Sequence, residues 1–283
     1  MTYWFMPVTM FFGSIIAGVS SEGGGAVAYP VMTLLLDISP VAARNFSLAI
    51  QSAGMLAAAL WIFAKRIRIE QNYLFLGIIG GIPGVVLGTF MVVPLVSDSY
   101  AKIIFVSFWL SFGIALYVIN HTESRHTIRK LPHLLWVDKI ILVLVGFAGG
   151  LISSVFGSGI DICTFSYVTL RFNLSEKVAT PTSVILMGTI ALAGFILHAF
   201  ILNDIQSQTF DYWLICIPIV IAGAPFGAFI AARLQRKAIA SLLYIIILMQ
   251  FVGAFFTISV TPSVLGVALA SFTIGMMLFF GLT

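Results

Sequence analysis

Two glycine-rich interruptions inside apolar stretches constrain this chain more than any other feature of its sequence. The first is the segment 20–25, Ser-Ser-Glu-Gly-Gly-Gly, and the second is the segment 157–161, Gly-Ser-Gly-Ile-Asp. In lipid, a broken helix leaves backbone N–H and C=O groups unpaired, which is tolerated only where the break is buried in protein or lines a polar cavity. Two such breaks at matching positions indicate a substrate site between two structural repeats.

The composition places these breaks in a membrane. Of the 283 residues, 60% are hydrophobic and 8% are charged, whereas soluble domains carry about 25% charged residues. The apolar runs are about 20 residues long and lack the roughly ten-residue alternation of barrel strands. We therefore predict an all-α, polytopic protein embedded in the lipid bilayer. The basic residues do not share one face, so the net charge of +4 does not indicate binding to nucleic acid.

The apolar segments form two similar sets. They fall at 3–20, 25–37, 42–63, 73–96, 101–120, 140–156, 159–172, 177–202, 212–233, 238–258 and 261–282. The segments 25–37 and 159–172 are too short to cross a hydrocarbon core of about 30 Å. Each is expected to form a re-entrant hairpin with the segment before it, or two tilted short crossings, with a glycine break at the tip. The expected units are a first repeat at 1–120, a linker at 121–139, a second repeat at 140–260 and an extra C-terminal helix at 261–283.

A common sequence frame supports the two repeats. Segment 39–47, Ser-Pro-Val-Ala-Ala-Arg-Asn-Phe-Ser, aligns with segment 175–183, Ser-Glu-Lys-Val-Ala-Thr-Pro-Thr-Ser. The other matching positions are Gly23 with Gly159, Gly25 with Asp161, and, after a short insertion, Gly81 with Gly223 and Pro83 with Pro225. Internal repeats of this kind are typical of secondary transporters.

The charges of the loops predict the orientation. The loops 64–72, 121–139, 171–177 and 233–237 hold 12 of the 14 Lys and Arg residues, and such loops face the cytoplasm. The loops 37–42, 96–101 and 202–211 are then outside, and the two repeats are inverted relative to each other. We expect a bacterial cytoplasmic (inner) membrane protein with a cytoplasmic C-terminus. The linker 121–139 is expected to be a solvated connector, and its three histidines are not expected to bind a metal.

The residues around the breaks are candidates for substrate binding. Glycine lets the backbone turn sharply and approach a ligand, and a helix that starts after a break presents N–H groups to an anion. The expected substrate-binding residues are Ser20, Ser21, Gly23, Gly24, Gly25, Asn45, Ser47, Gly157, Ser158, Gly159, Thr182 and Ser183. The expected partner is therefore a small anion, and neither a cofactor nor a metal is expected.

Four other polar residues are candidates for coupling or gating, namely Glu22, Asp161, Arg44 and Gln51. An acidic group at membrane depth is a functional hypothesis by default, so the two acids either carry protons or cap the short helices. Arg44 shares a helix face with Ser47 and Gln51. It either attracts an anion or extends to the membrane interface. His198 is expected at the interface, with a proton relay as the alternative.

These motifs together resemble the TauE/SafE membrane transporters, also called the sulfite exporter family. The first copy comprises 13–18, 22–25, Pro30 and 39–43, and the second comprises 146–150, 157–159 and 177–180. The resemblance implies transport, with export as the expected direction, of small sulfur-containing or organic anions, such as sulfite or sulfonates, across the bacterial cytoplasmic membrane. Glu22 and Asp161 depart from the family pattern, so the coupling ion, a proton or another ion, stays open. The sequence leaves the oligomeric state open as well.

Two other functions are compatible with parts of the sequence. An intramembrane serine protease would use Ser158 and His198, which requires the two side chains to lie within hydrogen-bonding reach. A non-transporting membrane scaffold would have a packed interior without a polar site between the breaks. A structure distinguishes these alternatives from a transporter.

Overall fold

All the apolar segments are helical in the computed structural model, which describes residues 4–20, 25–121, 126–257 and 261–281. The helices are α1 (Phe5–Val19), α2 (Gly25–Pro30), α3 (Pro40–Ala64), α4 (Gln71–Met91), α5 (Asp98–His121), α6 (Trp136–Phe156), α7 (Ile160–Ser166), α8 (Glu176–Ile196), α9 (Ser207–Arg233), α10 (Arg236–Thr257) and α11 (Pro262–Phe280). Helices α2, α7 and α8 continue into π-helical turns at Val31–Leu35, Tyr167–Arg171 and Leu197–Ile201. Within the described ranges, eight helices are long and apolar enough to cross a membrane. The prediction of an all-α, polytopic membrane protein is confirmed.

The distribution of side chains is that of a protein surrounded by lipid. Large apolar side chains face outward, among them Phe200 and Met277, each with 71% of its surface exposed. Polar side chains such as Arg44, Gln51 and Asp161 are buried. Exposed apolar surface on this scale is unfavourable in water and favourable against acyl chains.

The same series of backbone features occurs once in each half of the chain. The π-helical turns Val31–Leu35 and Tyr167–Arg171 lie 136 residues apart. Two residues later the backbone adopts a left-handed conformation, with φ of 49° at Asp37 and 54° at Asn173, which Asp and Asn tolerate better than most residues. Ser39 and Ser175 then occupy the N-cap positions of α3 and α8. The spacing of 136 residues equals the offset between the aligned sequence segments 39–47 and 175–183.

The packing of helices also matches between the halves. Helix α1 packs on α9 and helix α6 packs on α4, so the first helix of each half lies against the other half. A Cβ atom at Gly84 would overlap the carbonyl of Phe147, and a Cβ atom at Gly227 would overlap the carbonyl of Ile15. These contacts bring helix backbones together, as small residues do in membranes. Helices α3 and α8 pack on each other between these pairs, while α10 and α11 pack on α5.

The loops group into two ends of the molecule. At the end that we call the basic end, the amide of Ile128 donates to the carbonyl of Asn173 (2.9 Å), and that of Leu131 donates to Glu70 Oε2 (3.2 Å). At the opposite, acidic end, Asp37 Oδ1 lies 3.7 Å from Lys102 Nζ. These contacts agree with the grouping expected from loop charge, and the assignment of the basic end to the cytoplasm stays a prediction.

The linker is more than the solvated connector that we expected. Its described part, 126–135, buries the side chains of Leu131 and Leu134. Glu70, which is only 5% exposed, holds the linker through the Leu131 amide. Most of the described linker residues are exposed, as a solvated connector requires, but the expectation overlooked the anchoring by Leu131 and Leu134, which removes apolar surface from water.

Candidate functional site

The second glycine break lies in the centre of the molecule, between α6 and α7. Gly157 has φ of 74° and Gly159 has φ of 144°, conformations that residues with a Cβ atom rarely adopt. Space at Gly157 is also restricted, because an added Cβ atom would lie 2.5 Å from Ser47 Cβ and 2.8 Å from the Arg44 carbonyl. Glycine is therefore needed here both for the turn and for the close approach of α3.

Asp161 lies in the first turn of the short helix that follows this break, whose N-cap residue is Gly159, and its side chain binds amides at this N-terminus. Its Oδ1 accepts hydrogen bonds from the amides of Gly159 (2.9 Å) and Ile162 (3.0 Å), and Ser153 Oγ accepts from the Ile160 amide (3.0 Å). Side chains of the protein thus already occupy amides that the sequence suggested for an anion. The capping alternative for Asp161 is the one that the geometry favours.

Helix α3 reaches this break from the first half of the chain. Gln51 Nε2 donates to the carbonyl of Gly157 (2.6 Å) and to that of Ser47 (3.0 Å). Gln51 and Ser47 are buried, and neither Gln51 Oε1 nor Ser47 Oγ has a hydrogen-bond partner in the described part of the chain. An unsatisfied buried polar atom costs about 1–3 kcal/mol, so these two atoms are suited to a polar ligand.

The other predicted binding residues divide into two groups around this centre. Ser183 Oγ lies 3.4 Å from the Asp161 carbonyl, and Ser158 Oγ lies 3.4 Å from Asp161 Oδ2, so both border the break. Thr182 does not border it, because its hydroxyl accepts from the Glu70 amide (3.0 Å) and donates to the Val178 carbonyl (2.7 Å).

The first break is described only at its edges. Ser20 is fully buried at the end of α1, and Gly25 begins α2. The remaining predicted residues of this break, Ser21, Glu22, Gly23 and Gly24, lie outside the described residues.

A polar cluster closes the acidic end of α3 and α8, and we define it as Arg44, Asn45, His198 and Asp204. Arg44 donates from Nε (3.0 Å) and Nη2 (2.9 Å) to Asn45 Oδ1, and its Nη2 lies 3.7 Å from Asp204 Oδ2. His198 Nδ1 lies 2.9 Å from Asp204 Oδ1. Arg44 is 3% exposed and His198 is 1% exposed, so both side chains are buried among protein groups, while their depth in the membrane stays a prediction.

Sequence reasoning missed the role of Asp204, because it comes from a loop far along the chain. The only local signal is its position in the turn directly after the π-helical end of α8, where Asn203 has φ of 51°. This turn directs the backbone back toward α3, since Asn45 Nδ2 donates to the Asp204 carbonyl (3.3 Å).

A cavity lies at the basic end of α3 and α8. A cavity of about 230 Å³ is bordered by Gly18, Ile62, Ile67, Glu176, Lys177, Thr180, Pro181, Ala228, Ala231, Ala232 and Ile239. Beside Gln51, in contrast, a void of only about 10 Å³ remains. Around α3 and α8, the cavity at the basic end is therefore much larger than the void beside Gln51.

The geometry does not support a serine protease. His198 Nδ1 faces Asp204, and His198 Nε2 has no hydrogen-bond partner among the described residues. Ser158 Oγ therefore makes no hydrogen bond with this imidazole, as a nucleophile and its base would.

Comparisons with known proteins agree with a membrane transporter. A family model described as "Sulfite exporter TauE/SafE" matches residues 6–253. The chain is 22% identical over 275 residues to "Probable membrane transporter protein YunE" of Bacillus subtilis (strain 168), covering 88% of this chain and 96% of that protein. No solved structure matches the chain. Because the family model spans most of the sequence, the chain belongs to the TauE/SafE sulfite exporter family.

Proposed function

We propose that this protein is a secondary transporter that exports small sulfur-containing or organic anions, such as sulfite or sulfonates. The site lies between the two broken helices of inverted repeats, and alternating access exposes it to each side of the membrane. Membership of the sulfite exporter family supports the substrate class, and the described relative carries the name of a membrane transporter.

The observation that carries this proposal is the bridge from Gln51 to the second break. Gln51 belongs to the first half of the chain and donates to the Gly157 carbonyl, which belongs to the second half. The bridge is buried and leaves Gln51 Oε1 and Ser47 Oγ without protein partners in the described part. Irregular backbone and unsatisfied polar groups at one buried point between two halves are the features of a transporter binding site.

Close packing beside Gln51 is also what a non-transporting scaffold would show, so transport through this site requires a conformational change. The void beside Gln51 measures about 10 Å³, which is about the space that one water molecule needs. No anion of four or more heavy atoms fits there. We infer that α3 moves relative to the break at Gly157 when substrate enters, and that the hydrogen bond from Gln51 is exchanged for one to the substrate.

The membrane potential favours one direction of anion transport. A potential that is negative inside favours the exit of an anion by about 2.3 kcal/mol per charge and per 100 mV. Export therefore needs no nucleotide-binding site. A co-transported ion, with Asp161 as the described candidate for a proton, would alter the coupling but not the path.

Flux in proteoliposomes tests the proposed function. The purified chain is reconstituted, loaded with sulfite, an alkyl sulfonate or a carboxylate, and given a potential of either sign. We expect at least one of these anions to leave faster than from empty liposomes, and the rate to follow the sign of the potential. If none of the three classes moves at any potential or pH gradient, the protein does not transport small anions.

A further inference from the structure

The shared frame of the two halves relates the polar cluster to the cavity. With the spacing of 136 residues set by the π-helical turns, Arg44 corresponds to Thr180 and Asn45 to Pro181. At the other ends of α3 and α8, the left-handed residues Arg66 and Asn203 mark the matching turns; their spacing is 137 residues, one more than 136, because α8 ends in a π-helical turn. The residues that follow them, Ile67 and Asp204, therefore correspond.

The two ends differ at these matching positions. Thr180, Pro181 and Ile67 all border the cavity of about 230 Å³ at the basic end. Their counterparts Arg44, Asn45 and Asp204 instead contact one another at the acidic end. The same place in the fold thus borders a cavity in one half and holds the polar and charged side chains of the polar cluster in the other.

The contacts of Arg44 allow its acidic partner to be exchanged for another anion. It is the only buried Lys or Arg among the residues whose side chains are described. Its strong contacts are to the neutral amide oxygen of Asn45, while the Asp204 carboxylate lies 3.7 Å away, beyond ordinary hydrogen-bond length. Burying a guanidinium is costly without a close anion, so another oxyanion can replace this carboxylate.

The acidic partner is accessible from outside the protein. The side chain of Asp204 is 39% exposed, whereas that of Arg44 is 3% exposed. Ser47 follows Arg44 by one turn and is fully buried. Along α3, Arg44 therefore lies between the exposed Asp204 at the acidic end and the buried Ser47 at the break.

We propose that the polar cluster is the outer gate of the transport path, closed in this structure, and that Arg44 binds the transported oxyanion when the gate opens. In the closed state the Asp204 carboxylate occupies the place of that oxyanion. This inference rests on the proposed function, from which it takes the outer position and the substrate class.

Cysteine labelling tests the gate without any substrate. The native Cys163 and Cys216 are replaced by alanine, and Ser47→Cys serves as a reporter behind the gate. Right-side-out and inside-out vesicles are treated with two membrane-impermeant methanethiosulfonates, one carrying a sulfonate and one carrying a trimethylammonium group. The test variant is Asp204→Asn. Its matched control is Asp37→Asn, which removes the same charge from an ion pair of the same 3.7 Å length at the same end.

We expect the reporter to react slowly from outside in the parent and in Asp37→Asn, and about tenfold faster or more in Asp204→Asn. The sulfonate reagent should then react about tenfold faster than the cation, since one charge at close range in a partly buried mouth is worth at least that factor. Adding Arg44→Gln to Asp204→Asn should remove this preference. If Asp204→Asn does not accumulate in the membrane, Asp204→Ser, which also removes the carboxylate beside Arg44, takes its place.

Three results would contradict the proposed gate. In the first, the reporter in Asp204→Asn reacts no faster than in Asp37→Asn. In the second, it reacts faster only from the inside, and in the third, Arg44→Gln leaves the preference for the sulfonate reagent unchanged. Each of these results is independent of flux, so it separates failure of the gate from failure of the proposed transport function.

Discussion

Replacing Gly157 with alanine perturbs the central break at its most constrained point. A residue with a Cβ atom in the left-handed conformation costs about 1–2 kcal/mol. The added methyl group would lie 2.5 Å from Ser47 Cβ and 2.8 Å from the Arg44 carbonyl. Overpacking of this kind costs about 1–3 kcal/mol. We therefore expect Gly157→Ala to lower the free energy of unfolding by about 2–5 kcal/mol.

The assay is reversible unfolding of the purified protein in mixed micelles by increasing mole fractions of a denaturing detergent. Gly266→Ala is the matched control, because a Cβ atom there has no heavy atom within 4 Å, and it should change the free energy of unfolding little. Adding Ser47→Gly to Gly157→Ala should relieve the contact with Ser47 Cβ and leave both the contact with the Arg44 carbonyl and the backbone strain. The reasoning is refuted if Gly157→Ala is as stable as Gly266→Ala, or if Ser47→Gly restores nothing.

Three further predictions follow from the hydrogen bonds around the site. Gln51→Met keeps the side-chain volume but removes the donor to the Gly157 carbonyl (2.6 Å). We therefore expect a loss of about 1–3 kcal/mol in the free energy of unfolding and slower anion flux in proteoliposomes. Unchanged flux would show that Gln51 is not part of the site. Asp161→Ala should cost about 1–2 kcal/mol in the same unfolding assay because α7 loses its cap, whereas Asp161→Asn, which keeps an acceptor oxygen, should cost less; equal losses would contradict capping. Glu70→Ala leaves the Leu131 amide without its acceptor, so limited proteolysis should cut the linker about tenfold faster. Cutting at the rate of the unsubstituted protein would show that this hydrogen bond does not hold the linker.

The sequence predicted the helices and the second break well, because the signals are local. Twenty-residue apolar runs and the glycines at 157 and 159 report directly on helix length and backbone freedom, while the orientation inferred from the basic loops stays a prediction. The repeat frame also came from the sequence, since Ser39 and Ser175 occupy equivalent caps in the structure.

The side-chain partners could not be predicted in the same way. Arg44 was assigned either to anion attraction or to the interface, and only the fold shows that Asp204 lies beside it. Glu70 and Leu131 also come together through tertiary packing alone. The capping role of Asp161 was one of two readings, and the choice depended on two amide distances that no sequence pattern contains.

Protection of a cysteine by substrate tests the central claim most directly. Ser183→Cys, in the background without native cysteines, places a thiol beside the Asp161 carbonyl at the break. Its alkylation rate is measured in proteoliposomes with and without the anion that gives the fastest flux, and Ser111→Cys, equally buried but on α5, reports reaction outside the site. We predict that the anion slows alkylation of Ser183→Cys at concentrations that half-saturate flux and leaves Ser111→Cys unaffected. Saturable flux with no protection of Ser183→Cys would show that the anion crosses elsewhere.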